Sequence, residues 1–156
     1  MSSAGRLHAL LDELATEDVS IGSLRDEMLE LDRARARLDA EVSRRLRAFD
    51  RSCEWSVDGS RSAAAFLTTH TRCARVDAHQ RVRVARQLEA VEETAAAWAA
   101  GVITTRHVEA VARARYSAKA DAAFAEFAPA LTEVARAGTP EDVARTARAV
   151  AGRAGR

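Results

Sequence analysis

Four consecutive residues, Gly101 to Thr104, constrain the fold of this chain more than any other stretch of its sequence. Gly101 ends an alanine-rich run, and glycine is favoured just beyond a helix because it adopts a left-handed backbone without steric cost. Thr104 is a favourable N-cap, and Ile103 and Val108 stand at the positions that form a hydrophobic staple across a helix start. The sequence therefore predicts one helix that stops at Gly101 and another that begins after Thr104.

The residues before this junction predict a short helix, a tight turn and a longer helix. Asp58-Gly59-Ser60 is a turn signal, and either Ser60 or Ser62 can cap the short helix that follows. A connection through residues 71–74 leads to a helix that begins near Arg75 and continues, or restarts, through the alanine-rich run. This arrangement is compatible with a helix-turn-helix-like unit, although most helical hairpins bind no DNA.

A long helix is predicted from Ser23 to Phe49 or beyond, because apolar residues recur there at three- and four-residue steps. Arg35 and Arg45 fall at inward positions and interrupt an otherwise almost regular heptad. A helix packed inside its own domain, with arginines reaching out at its edge, fits this pattern better than a long coiled coil. A homodimer through the long helix stays open as the alternative. The predicted buried stripe consists of Leu24, Met28, Leu31, Leu38, Val42, Leu46 and Phe49.

The composition favours an all-α fold. The chain has 156 residues, many Ala and Arg, few β-branched residues and no strand-like alternation, which predicts a single multi-helix domain over residues 1–156. Residues 1–5 and 151–156 are expected to fray.

The C-terminal third carries further helix signals. Residues 115–117 are interpreted as a break, followed by a helix over residues 118–128 that Pro129 bends or restarts. Gly138 closes this segment. Thr139-Pro140-Glu141-Asp142 then combines an N-cap, a proline at the first helical position and acids in the first turn, and predicts a final helix.

The central residues resemble a known family. The resemblance rests on Asp58-Gly59, the runs over residues 63–67 and 71–74, the Arg-rich helix over residues 75–88, and residues 95–104. They look like the N-terminal helical domain of actinobacterial HNH endonuclease proteins, which is domain of unknown function 222. The resemblance extends in outline over almost the whole chain.

The chain departs from this family at three positions. The family usually has Gly where this chain has Arg72, a Ser cap where it has Ala74, and Pro where it has Glu92. Arg72 makes a left-handed turn more costly, and without a proline at Glu92 the preceding helix is able to run on unbroken.

The candidate nucleic-acid-binding residues are Arg75, His79, Arg83 and Arg86, whose spacing places them on one helix face. Because the chain has a formal net charge of only +1, an anion-binding surface has to arise from local segregation of charge. Such a stripe could contact phosphates or enter a major groove. The alternative is a solvated helix face paired with acids of neighbouring helices.

The sequence offers little for metal binding or catalysis. Cys53, His70, Cys73 and His79 are conceivable ligands, but paired Cys-x-x-Cys spacing is missing. HNH nucleases use a ββα-metal unit that nothing in this sequence supplies, and His107 is explained by capping a helix. We therefore predict no metal site, no cofactor and no catalytic residue, and expect the nuclease domain that the resemblance implies to lie outside this chain.

Cysteine content and hydropathy both bear on the cellular location. Cys53 and Cys73 are the only cysteines, too few for a disulfide scaffold, so a reduced cytoplasmic setting is expected. No apolar run approaches the length of a membrane span, so no membrane partner is expected.

From these residues and the resemblance, we expect a non-catalytic, DNA-associated accessory domain that helps to position DNA for a nuclease domain. A helical interaction or dimerisation module is the alternative, and a small independent metalloenzyme is the weakest reading.

Overall fold

A computed structural model describes residues 2–117 and 121–154. Within these ranges the chain forms eight α-helices and no β-strand, which confirms the all-α prediction. Short 3₁₀ turns occupy Glu54–Asp58 and Leu88–Ala90. The helices are α1 (Ser3–Thr16), α2 (Leu24–Ser52), α3 (Ala63–Thr71), α4 (Arg75–Gln87), α5 (Glu92–Ala99), α6 (Thr105–Ser117), α7 (Asp121–Ala137) and α8 (Pro140–Ala154).

Residue contacts group the chain into two units, residues 1–32 and residues 33–156. In the first unit, the Ser2 hydroxyl accepts a hydrogen bond from the Gly5 amide at 3.1 Å and caps α1. Residues 3–5, which were expected to fray, therefore lie inside a capped helix. Leu10, Leu11 and Leu14 are 39–52% exposed, and α1 has no buried side chain.

The core of the second unit is formed by side chains of α5 to α8, with Ala36 of α2 and Val84 of α4. Leu131 and Val143 are fully buried. A hydrogen bond of 2.8 Å joins the buried Thr94 and Thr132 hydroxyls between α5 and α7. Buried hydroxyls that bond each other avoid the desolvation penalty of an unpaired polar group, so this contact fixes the register of the two helices.

The predicted junction between Gly101 and Thr104 is confirmed. Gly101 has φ +71°, its amide donates to the Trp98 carbonyl, and the Val102 amide donates to the Ala97 carbonyl, which is the Schellman pattern at the end of α5. Ile103 is 1% exposed and anchors the chain in the core before α6 begins.

The helix that starts at Arg75 ends at Gln87 and restarts as α5, so it does not run on even though Glu92 replaces a proline. Val91, with φ −136°, is the residue at the break, and its side chain is buried in the core. The Gln87 carbonyl accepts a hydrogen bond from Arg115 Nη1 at 3.3 Å. Burial of Val91 and the hydrogen bond from Arg115 hold the helix break in place, as a proline would.

The C-terminal boundaries differ in part from the expectations. Residues 115–117 belong to α6, so the break expected there is wrong, and the following residues 118–120 lie outside the described residues. Helix α7 continues across Pro129. A proline removes one backbone hydrogen bond, and burial of Phe124 and Leu131 on the same helix offsets that loss.

The predicted end of α7 and the predicted start of α8 are both confirmed. The Gly138 amide donates to the Val134 carbonyl at 2.8 Å, and the Thr139 hydroxyl accepts from the Asp142 amide at 3.3 Å. The Asp142 carboxylate in turn accepts from the Thr139 amide at 2.9 Å, which completes a capping box. Residues 151–154, expected to fray, lie within α8.

The long helix is confirmed, but most of its predicted buried stripe is wrong. The residues of α2 that are buried are Ala36, Ser43 and Leu46. Small side chains on this face let the helix lie close to its neighbours, and Arg33 Nε donates to the Ala100 carbonyl at 3.3 Å. Five residues of the predicted stripe are 39–61% exposed: Leu24, Met28, Leu31, Leu38 and Val42.

Candidate nucleic-acid interface

Helices α3 and α4 pack against each other and against the C-terminal part of α2 around one apolar cluster. Phe49, Trp55 and Cys73 pack at its edge. Because the cluster draws on both helices, the angle between them is fixed by core packing and not by the short turn alone. Its buried members are Leu46, Ala63, Ala64, Leu67, Ala78, Val82 and Ala85.

The turn between α3 and α4 is shorter than predicted by one residue. Ser62, one of the two proposed caps, accepts a hydrogen bond from the Ala65 amide at 3.1 Å and begins α3. Thr71 is the last residue of α3, and Arg72 adopts the left-handed conformation with φ 55°. A residue with a side chain costs about 1 kcal/mol more than glycine in this conformation. The turn therefore keeps its geometry although Arg72 replaces the favoured glycine.

The four candidate residues Arg75, His79, Arg83 and Arg86 are all exposed on α4. The side chains that α4 buries are Ala78, Val82, Val84 and Ala85. At 100° per residue, Val84 lies opposite the four candidates, whereas Val82 lies at the edge of their face. Within the described part of the chain, the side chains of Arg75 and His79 have neither a hydrogen-bond nor an ion-pair partner. These two side chains are therefore available to a ligand without breaking an intramolecular contact.

Arg86 forms a two-point ion pair with Asp50. Its Nε and Nη2 atoms donate to the two carboxylate oxygens of Asp50 at 2.7 and 2.8 Å. Arg47 Nη1 donates to the same carboxylate at 3.0 Å. The hydrogen bond from Arg86 is the main cause that lowers the pKa of Asp50 and raises the pKa of Arg86. Arg86 thus links α4 to α2, which limits its use as a ligand contact.

The conceivable metal ligands are not brought together. His70 Nε2 pairs with the Asp58 carboxylate, and its ring lies against Phe66 with centroids 4.3 Å apart. Hydrogen bonds from Ser60, followed by His70, lower the pKa of Asp58. Cys53 and Cys73 are both free thiols. In the residues that the structure describes, no group of three or more His, Cys, Asp or Glu side chains could hold a metal ion.

His107 has the capping role that the sequence indicated. Its Nδ1 accepts a hydrogen bond from the Thr104 amide at 3.1 Å, and its Nε2 lies 2.9 Å from the Gly138 carbonyl oxygen. Since Nδ1 accepts, the proton of the neutral ring is on Nε2, which donates to Gly138. One side chain therefore ties the start of α6 to the end of α7.

Sequence reasoning missed Asp50, whose side chain is only 8% exposed and which anchors the arginine network between α2 and α4. Its spacing from Arg47 is a weak local signal, since residues three apart face each other on a helix. Its stronger partner, Arg86, is 36 residues away, and no local spacing identifies such a contact.

Comparison with known proteins identifies a family. A family model described as a domain of unknown function (DUF222) matches residues 25–155. No curated protein and no solved structure matches the chain. None of the helices in the described ranges is both long enough and apolar enough to cross a membrane.

Proposed function

The chain belongs to the family of domain of unknown function 222, and we propose that it is a non-catalytic, DNA-associated module of an HNH-endonuclease-type protein. In this role it helps to position DNA for a nuclease domain. The outward face of α4 is the contact surface, with Arg75, His79 and Arg83 as its residues. Arg86 is excluded from this surface because it is held in the ion pair with Asp50.

The observation that carries this proposal is the exposure of a basic face on the second helix of a tightly packed helix-turn-helix-like pair. Arg75 and His79 stand near the N-terminal end of α4, the end that such motifs direct towards base edges. Arg72 is exposed in the turn just before α4 and can add a phosphate contact. Val76, 70% exposed on the same turn of α4, offers an apolar group of the kind that contacts a thymine methyl.

The proposal is tested by measuring DNA binding of the Arg75→Ala/Arg83→Ala double variant by fluorescence anisotropy at several salt concentrations. We expect weaker binding with the fold retained, since exposed substitutions cost less than about 0.5 kcal/mol of stability. Each lost phosphate contact should also reduce the log-log salt slope by roughly one unit.

Two controls separate a specific face from general charge. Arg148→Ala removes an exposed arginine from α8, and Arg81→Ala removes a half-buried arginine from another side of α4. Both should bind DNA much as the unaltered protein does. Equal losses in the controls and the double variant, or no DNA binding by the unaltered protein at low salt, would show that this face is not a DNA-binding surface.

A second candidate function, a dimerisation module, is favoured by the exposed apolar residues of α2. Leu24, Met28, Leu31, Leu38 and Val42 follow the heptad spacing of a coiled-coil seam, and none of them is buried. A self-associating helix would cover this stripe.

A further inference from the structure

A groove of about 1180 Å³ lies between α2 and a wall formed by the end of α4, the Leu88–Ala90 turn and α5. Along α2 the groove extends from Ala34 to Ser52, which at 1.5 Å per residue is about 27 Å. It is therefore long and open, unlike a closed small-molecule cavity. Apolar side chains that line it include Ala34, Leu38, Ala48, Leu88, Ala95 and Ala96.

Buried polar atoms in the lining of this groove lack hydrogen-bond partners. Trp98 is 3% exposed and Ser43 is 7% exposed, yet neither Trp98 Nε1 nor Ser43 Oγ has a partner among the described residues. Arg47 Nε, from a third lining residue, is also without one. Native proteins rarely leave buried polar groups unpaired, and all three groups can donate a hydrogen bond. Because each of these atoms is itself shielded from solvent, a ligand in the groove reaches them only if the lining moves.

The charges of the lining also favour an acidic ligand. Four arginines and two glutamates line the groove, an excess of two positive charges. Glu41 is shared by Arg44 and Arg45, which donate to it at 2.8 and 2.7 Å. Glu89 is likewise shared by Arg47 and Arg51, each at 2.9 Å.

One of the four arginines that line the groove has no acidic side chain paired with it among the described residues. Arg37 is exposed at the rim of the groove, and in the described ranges it has no ion-pair partner. An acidic group brought by a ligand therefore finds at least one cation that no carboxylate of this chain already neutralises.

We propose that this groove binds an amphipathic helix of a partner protein, with its apolar face on the alanine and leucine side chains and its flanking carboxylates near Arg37. A helix is about 10–12 Å across with its side chains, and the small alanines of α5 allow its backbone to approach closely. Arg75, His79 and Arg83 do not line the groove, so this site is separate from the proposed DNA contact.

The test uses a labelled helical peptide of about 16 residues, which spans about 24 Å, with leucines at helical spacing and glutamates flanking them. Its binding to the full chain is measured by anisotropy. In the Trp55→Phe variant, Trp98 is the only tryptophan, so a change in its emission on peptide binding reports binding beside Trp98, which lines this groove and a second, smaller pocket. We expect saturable binding together with that change, and loss of binding when lysines replace the glutamates.

Variants of the chain locate the contact. Arg37→Glu should weaken peptide binding by about tenfold or more, since like charges oppose docking. Arg35→Glu is the matched control, because Arg35 is exposed on the same helix but does not line the groove.

Several results would overturn the proposal. One is equal binding of the glutamate and lysine peptides, and another is an equal effect of Arg37→Glu and Arg35→Glu. Absence of both an emission change at Trp98 and an effect of Arg37→Glu would exclude the groove as the docking site. Displacement of the peptide by dodecanoate at comparable affinity would assign the groove to a small amphiphile, and peptide binding that competes with self-association would assign it to a second copy of the chain.

Discussion

At the residue scale, two glycines share a left-handed backbone but differ in their surroundings. Gly59 has φ +86°, and a Cβ atom built on it would meet no atom within 4 Å. Gly101 has φ +71°, and its Cβ would lie 2.5 Å from Arg33 Cγ and 3.0 Å from the Arg33 carbonyl oxygen. Gly59 is thus required only by backbone conformation, whereas Gly101 is required by conformation and by the close passage of α2.

This difference predicts unequal effects of the same substitution. Gly59→Ala should reduce the free energy of unfolding by about 1 kcal/mol, the cost of a side chain in the left-handed region. Gly101→Ala should cost about 3 kcal/mol, because overpacking adds roughly 1–3 kcal/mol. Urea unfolding of both variants measures this, and equal losses would mean that α2 does not pack against Gly101 in solution.

At the element scale, Asp50 joins α2 to α4 and to the turn between α4 and α5. It binds Arg86 and Arg47, and Arg47 in turn binds Glu89. Because the Asp50 side chain is 8% exposed while that of Arg86 is 56% exposed, the pair stands between a buried and a surface salt bridge. Removal of the Asp50 carboxylate should therefore weaken the contact between α2 and α4 without unfolding the core.

Asp50→Asn should lower the free energy of unfolding at neutral pH by about 2 kcal/mol, since it leaves two arginines without their shared carboxylate. The effect should depend on pH. Hydrogen bonding to Arg86, with the charges of Arg86 and Arg47, lowers the pKa of folded Asp50 below its ordinary value of 3.8. A carboxyl with a lowered folded pKa stabilises the protein above its ordinary pKa and loses that effect as pH falls through the lowered one.

The destabilisation caused by Asp50→Asn should accordingly be full above about pH 5 and shrink below about pH 4. Denaturant unfolding of both proteins across this range isolates Asp50, because the other carboxylates are common to both. Arg45→Ala is the control, since it removes an exposed arginine of α2 whose partner Glu41 keeps Arg44. A difference between the parent and Asp50→Asn that stays constant down to pH 3 would exclude the ion pair as its cause.

At the scale of the whole molecule, the exposed apolar stripe of α2 raises the question of self-association. Met28 is 61% exposed and Leu31 is 48% exposed, so a charged residue at either position meets solvent in the monomer. A charged residue at either position should therefore not unfold a monomer.

Met28→Glu/Leu31→Glu should leave the helical content and melting temperature of a monomer nearly unchanged. If the stripe pairs two copies, the same change should convert a dimer to a monomer, because four carboxylates would meet in an apolar seam. Sedimentation equilibrium decides between these outcomes. Arg25→Glu is the control, since Arg25 is exposed on α2 outside the stripe. A monomeric mass for the unaltered protein at high concentration would remove the dimerisation function.

The sequence by itself determined the helix boundaries that rest on local chemistry. The Schellman end at Gly101 and the box of Thr139 with Asp142 use groups within a few residues of one another, as does Ser62, one of the two caps that the sequence left open for α3. Such contacts are encoded by spacing alone. The basic face of α4 was found in the same way, because a helix repeats at 3.6 residues wherever it lies.

Only the tertiary structure decided which helix faces are buried and which charged side chains are already held in ion pairs. The apolar stripe predicted to be the inner face of α2 is largely exposed, because the smaller residues Ala36 and Ser43 allow closer packing. Arg86 belongs to the basic stripe by spacing but is held by Asp50, 36 residues away. Periodicity shows that side chains share a face, but their partners depend on how distant helices pack, which no local pattern encodes.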